Sequence, residues 1–278
     1  MSVRARLVVA VAMAIALAGA LVFAGTQLAR LSRPAFVQPP DECVINALGL
    51  IVSLDPEQAT NAATIAAVAL RRGLPPHAVT VALATAMQES KLRNLNYGDR
   101  DSLGLFQQRP SQGWGTPKQI LDVRYAANRF YARLATVAGW ASLPVSEAAQ
   151  RVQRSADGSA YTIWEGQARS LAQGLTGRAG AAVGCRIHDP AGDPTTLAAE
   201  LHTDYGLHAV DQVHADPIRG WAVASWLVTH AREHRLTQVS YLGHTWKAAS
   251  GRWLTAGPAD GRVRYVTAPA PSPSRSAR

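Results

Sequence analysis

The side chain in this sequence best placed for acid–base chemistry is Glu89, near the end of the apolar run PHAVTVALATAMQES (residues 76–90). At about 100° per residue, Val79, Ala82, Leu83, Ala86 and Ser90 share one helical stripe with Met87 at a border, and Glu89 falls about 20° from Ala82 at the other. It also sits in the last turn, where a helix presents partial negative charge. Partial burial and the dipole both disfavour a carboxylate, so an acid here is suited to hold a proton near neutral pH. Passing that proton to a departing oxygen is the chemistry that glycosidic cleavage requires. Many glycosidases use two carboxylates, and Asp99 and Asp101, in the polar glycine-containing stretch 93–115, are candidates for the second. The same Asn, Gly and Asp residues also suit plain turn formation. Tyr97 and Trp114 lie in that stretch too, as rings for stacking on sugars or as half-buried surface aromatics.

Two separated motifs sharpen this picture. Residues 86–92 (AMQESKL) and 104–110 (GLFQQRP) together resemble the signature of the goose-type lysozyme and soluble lytic transglycosylase superfamily. There a helix ends in Glu-Ser and a short loop leads to Gly-Leu-Met-Gln, often with a proline. Phe106 stands where Met is usual, and Ser102-Leu103-Gly104 where Gly-Ala-x-Gly is common. The resemblance spans residues 76–165, and ESKLRNLNYGDRDSLGLFQQRPSQGWGT (residues 89–116) looks like exported lysozyme-like proteins of high-GC Gram-positive bacteria. It implies that Glu89 is the catalytic acid and base, that Ser90 orients it, that Gly104 lets backbone approach the sugar, and that Gln107 lines the cleft. It also implies that residues 150–156 (QRVQRSA) and Tyr161 return to the cleft, with Tyr161 contacting the glycan or Glu89. Such families often manage with one acid, which favours a lytic route to a 1,6-anhydro sugar over hydrolysis. The implied substrate is peptidoglycan, and no cofactor is implied.

A rival motif lies in the last third of the chain. His230-Ala-Arg-Glu233-His234 matches H-x-x-E-H, which on a helix places two histidines on one face for zinc with Glu233 as base. The match is short, no third ligand with family context is evident, and Trp221, Ala222, Ser225, Trp226 and Val228 read as an ordinary core helix. No metal is therefore expected, and His202 and His208 are expected to be solvated or hydrogen-bonded. Trp226, Tyr241, Trp246 and Trp253, with Lys247, Arg252, Arg262 and Arg264, suit a module that binds wall polymers or an envelope protein. The functional rivals are a catalytically silent wall-binding scaffold and, further off, a zinc peptidase.

The elements that must position these groups are mostly helical. Asp55-Pro56-Glu57 starts a helix that Gly73 stops, and Pro75-Pro76 opens the one that carries Glu89. Further helices are predicted near residues 116–134, 144–155 and 160–174, then 196–205 and 220–234. Alternating runs at 238–242 and 262–267 predict strands. The expected fold is a mainly α lysozyme-like domain over residues 43–187, followed by a small α+β domain over 188–268 and a disordered tail over 269–278. In front stand a short cytoplasmic tail (1–6), an uncharged run over residues 7–25 that predicts a transmembrane signal-anchor, and a proline-bearing linker (26–42). Arg4 and Arg6 ahead of the run favour export of the remainder, so the expected location is a single-pass cell-membrane protein with its bulk extracytoplasmic, or secreted if the segment is cleaved. Export makes nucleic acid an unlikely partner despite the net charge of +9, which also suits the polyanionic wall. One hydrophobic span cannot enclose a solute path, which argues against a transporter. The two cysteines, Cys43 and Cys185, are expected to form one disulfide across the first domain.

Overall fold

The computed structural model describes Met13, residues 15–23, Thr26, and residues 38–154, 159–206 and 216–269. The expected cytoplasmic tail, most of the linker, nearly all of the C-terminal tail and His208 lie outside the described residues. Among the described residues no helix is long and apolar enough to cross a membrane. The transmembrane anchor, and with it the single-pass membrane location, are corrected accordingly.

The described residues from Asp41 onward form one compact unit. Its first part departs from the mainly helical expectation, because it opens with strands β1 (Glu42–Ala47) and β2 (Leu50–Leu54). The alternation buries Cys43, Ile45 and Ala47 on one face of β1 and leaves Glu42, Val44 and Asn46 on the other. The third strand, β3 (Val183–Arg186), pairs antiparallel with β1 from far along the chain, giving the order β2-β1-β3. A strand pair so distant in sequence leaves no local signal, which is why the fold class expected from the sequence omitted this sheet. Cys43 and Cys185 are directly opposite in that pairing and are joined by a disulfide.

The helices follow the predicted boundaries closely where capping residues mark them. Helix α1 (Pro56–Arg71) starts with a capping box in which Asp55 and Gln58 satisfy each other's backbone N–H groups. Helix α2 (Pro76–Ser90) is buried from Ala78 to Met87, all around rather than along one stripe. The helix predicted over 116–134 is two: α3 (Pro117–Ile120) and α4 (Val123–Leu134), because Asp122 caps a new start by accepting from the Tyr125 N–H. Then come α5 (Val145–Gln153), a 3₁₀ turn (Ser159–Trp164) and α6 (Glu165–Leu175). Helix α6 packs along α2 on one side and under β1 and β2 on the other. The Ser170 hydroxyl fastens the hairpin to it, donating to Ala47 O and Leu50 O at 3.1 Å each.

The last third adds α7 (Leu197–Tyr205), α8 (Pro217–Thr229) and four antiparallel strands: β4 (Leu236–Tyr241), β5 (His244–Lys247), β6 (Arg252–Thr255) and β7 (Arg264–Thr267). Their order is β6-β5-β4-β7, and α8 lies between β4 and α1. Helix α8 ends at Thr229, so residues 230–234 form turns rather than the continuous helix expected through His234.

The disulfide closes a loop with a sequence separation of 142. Replacing Cys43 and Cys185 together by Ala should lower the unfolding free energy by about 2–5 kcal/mol in urea denaturation. A loss below ~1 kcal/mol would mean that the β1–β3 pairing holds without the cross-link.

Candidate functional site

Glu89 lies on the last turn of α2, half-buried, with its Oε1 facing two donors. The Tyr161 hydroxyl, from the 3₁₀ turn, donates to Oε1 at 2.8 Å. Gln153 Nε2, from the last residue of α5, donates to the same oxygen at 3.2 Å and to Phe106 O at 2.7 Å. Both neighbours of that amide are acceptors, which settles which end of Gln153 carries the nitrogen. Oε2 takes no hydrogen bond from the described residues. Tyr161 is buried on its ring, with its hydroxyl on the Glu89 carboxylate.

Ser90 does not bond Glu89. Its hydroxyl donates to Ala86 O at 3.1 Å and to Leu105 O at 2.8 Å, so it pins the loop to the end of α2. Helix α2 stops because Lys91 and Leu92 both adopt positive φ, 56° and 61°, and turn the chain back at once. The loop then closes on itself. Leu103 and Gln108 form an isolated β-bridge, and Gly104 sits between them at φ 74° against Ile120, where a Cβ would meet a carbonyl oxygen at 2.8 Å. Gln107 spans the loop, its Nε2 donating to Gly104 O at 3.2 Å and to Tyr97 O at 3.3 Å. Gly104 and Gln107 therefore hold the loop's shape.

Among the described residues no hydrogen bond links either candidate second carboxylate to Glu89. Asp101 accepts from Arg109 Nε at 2.7 Å, from the Ser111 N–H at 2.8 Å and from the Ser111 hydroxyl at 3.0 Å. The Ser111 N–H and then the Arg109 guanidinium hold its carboxyl well below the usual carboxylate range, so it stays charged as a loop clamp. Asp99 is exposed beside Arg100. Trp114 is buried with the Arg133 guanidinium 5.5 Å from its ring centroid, so that face is already covered; Tyr97 is open to solvent.

Sequence reasoning missed a second aromatic beside the acid. Trp164 Nε1 donates to Gln88 Oε1 at 2.7 Å, and Lys91 Nζ stands 4.2 Å from the Trp164 ring centroid. Gln88 and Trp164 are half-buried and Lys91 is exposed. The only sequence signal was a tryptophan three residues after Tyr161, within the same turn.

The two histidines of the H-x-x-E-H stretch are used as packing, whereas Glu233 is exposed. The His230 ring stacks on Trp226 with centroids 3.8 Å apart and donates Nδ1–H to Trp226 O at 2.8 Å. His234 continues the stack and places Nδ1 3.2 Å from Asp193 O, while its Nε2 lies 3.8 Å from Glu200. No group of three or more His, Cys, Asp or Glu side chains among the described residues is arranged to hold a metal ion.

No family model matches the chain, and no curated protein matches it.

Burial pushes the His230 imidazole down from 6.5 to about 3. Between those values the unfolded chain takes up a proton that the folded chain refuses, so stability should fall as pH drops below about 6.5. The slope from this group approaches but does not exceed ~1.4 kcal/mol per pH unit. Measured between pH 6.5 and 5, the slope of the unfolding free energy should flatten in His230→Gln. An unchanged slope would show that the ring gains its proton without unfolding.

Proposed function

We propose that this chain cleaves the glycan strands of peptidoglycan, with Glu89 as general acid and then general base. One observation carries the proposal: a half-buried carboxyl at a helix end has two donors, Tyr161 and Gln153, converging on Oε1, while Oε2 takes no bond from the described residues. Two donors on one oxygen assign the proton of the acid form to the other. Oε2–H is then the group presented to a glycosidic oxygen.

The chemistry closes on a single carboxyl. Oε2–H protonates the leaving oxygen as the C1–O bond breaks, leaving an oxocarbenium-like sugar and a carboxylate. That carboxylate takes the proton of the muramyl 6-hydroxyl as O6 bonds C1, which yields a 1,6-anhydro sugar and restores the acid. Asp101, held by Arg109 and Ser111, fits a loop-positioning role better than that of a second catalytic carboxylate. The lysozyme-like motifs around Glu89, the basic net charge of +9 and a disulfide compatible with an extracytoplasmic setting all support a wall substrate.

The test is the mass of products released from purified peptidoglycan by the wild-type chain and by Glu89→Gln. Anhydromuramyl products from wild type alone are expected; reducing-end products would make the reaction hydrolysis. Absence of products from both, with both still sedimenting with the wall, would make this a silent binding protein. Gln153→Leu should lower kcat about 10–100-fold while leaving KM within a factor of ~3, because it frees the acid without touching the glycan. An unchanged kcat would remove Gln153 from the positioning of Glu89.

A further inference from the structure

Three of the four C-terminal aromatics that could have formed a binding surface are core: Trp226, Tyr241 and Trp246 are fully buried. Trp253 is different. It stays half-exposed on β6, and its ring is held in place by its Nε1, which donates to Val183 O at 2.7 Å, and by edge-on contact with Trp221 at 5.3 Å between centroids. That ring lines a groove of about 550 Å³, inside the ~300–1,000 Å³ range of small-ligand sites.

One wall of the groove is the outward face of the first sheet, with Glu42, Val44 and Asn46 on β1 and Arg186 on β3. The other wall is the turn Ser250–Trp253 leading into β6. The walls meet at Gly184 and Gly251, where backbone lies on backbone: a Cβ on Gly184 would come within 2.2 Å of Gly251 O. The groove therefore exists only because the last third of the chain packs on β3, and none of its lining residues belongs to the Glu89 site.

Its polar groups lean positive. Arg186 faces Glu42 at 3.6 Å, but Arg252 is exposed and, among the described residues, in no ion pair. A carboxylate bound in the groove would meet the Arg252 guanidinium through charge-assisted hydrogen bonds. Fixed indole, planar guanidinium and amide groups, and the apolar Val44 match the two sides of a pyranose: C–H bonds on its face and hydroxyls on its rim.

We propose that this groove is a second saccharide site, selective for a sugar bearing a carboxylate, and that building it is the role of the C-terminal segment. The proposal rests on the wall-glycan reading only for the source of that sugar. The experiment is a titration of the ¹⁵N-labelled full chain with N-acetylmuramic acid, following the Trp253 indole N–H and the Gly251 amide, with N-acetylglucosamine as the neutral control. Saturable shifts with the acidic sugar are expected. Arg252→Glu and, from the opposite wall, Asn46→Asp should each weaken binding about tenfold or more, the scale of one lost charge-assisted contact. Both positions are exposed, so the two variants should keep the wild-type melting temperature. Glu89→Gln should leave these shifts unchanged, which separates failure of this site from failure of the catalytic reading. No saturable shift at Trp253, or equal shifts with the neutral sugar, would overturn the proposal.

Discussion

Helix α2, rich in alanine, is buried from Ala78 to Met87, and the site depends on how closely its neighbours approach it. In α2 the residues Ala78, Ala82, Ala84 and Ala86 are inaccessible, and Thr80 and Thr85 return their hydroxyls to the carbonyls of Pro76 and Val81. Alanine loses no side-chain freedom in a helix but buries little area, so such a helix is stable only in a dense surround. Helices α1, α4, α5 and α6 supply that surround. Side chains whose polar ends reach other elements are found where the surround ends, at Gln88, Glu89 and Ser90. Ser90 faces inward and holds the loop, Gln88 meets Trp164, and Glu89 between them meets Tyr161 and Gln153. The acid is held by the structure that buries the helix.

Legibility in the sequence followed locality. Asp55-Pro56, Gly73 and Pro75-Pro76 are signals within one or two residues of the boundaries they mark, and α1 and α2 lie where those signals place them. Glu89 was legible for the same reason, since its place on α2 follows from the helical period. Tyr161 and the stretch containing Gln153 were reached through the resemblance, because nothing local says that α5 and the following turn come back to α2. Strands β1 and β2 were missed since their alternation is brief and their third partner is β3, across the disulfide. Asp122 was overlooked as a cap inside a continuous apolar pattern, so α3 and α4 were read as one helix. Ser90 was assigned to Glu89, its neighbour in sequence, whereas its hydroxyl reaches Leu105 across the loop.

The C-terminal third is joined to the helical core by a buried charge as well as by area. Asp204 on α7 is 2 % exposed, and its carboxylate receives Arg124 Nε of α4 at 2.6 Å and Trp226 Nε1 of α8 at 2.9 Å. Glu200, one turn earlier, accepts from Arg124 Nη2 at 3.1 Å, the nitrogen that also donates to Asp204 at 2.9 Å. Such a pair adds little over apolar contacts of the same volume, because desolvation offsets most of the attraction. Its asymmetry matters more. Any shift of α7 by one position would leave Asp204 buried without Arg124, at a cost of about 3–5 kcal/mol, whereas apolar contacts would slide at far smaller cost. Register is what the charge fixes. With α7 and α8 held on α1 and α4, α8 carries β4 and its sheet to one position, and that position sets Trp253 against Val183 on β3. The ion pair on the far side of α8 thus determines the geometry of a groove in which it takes no part.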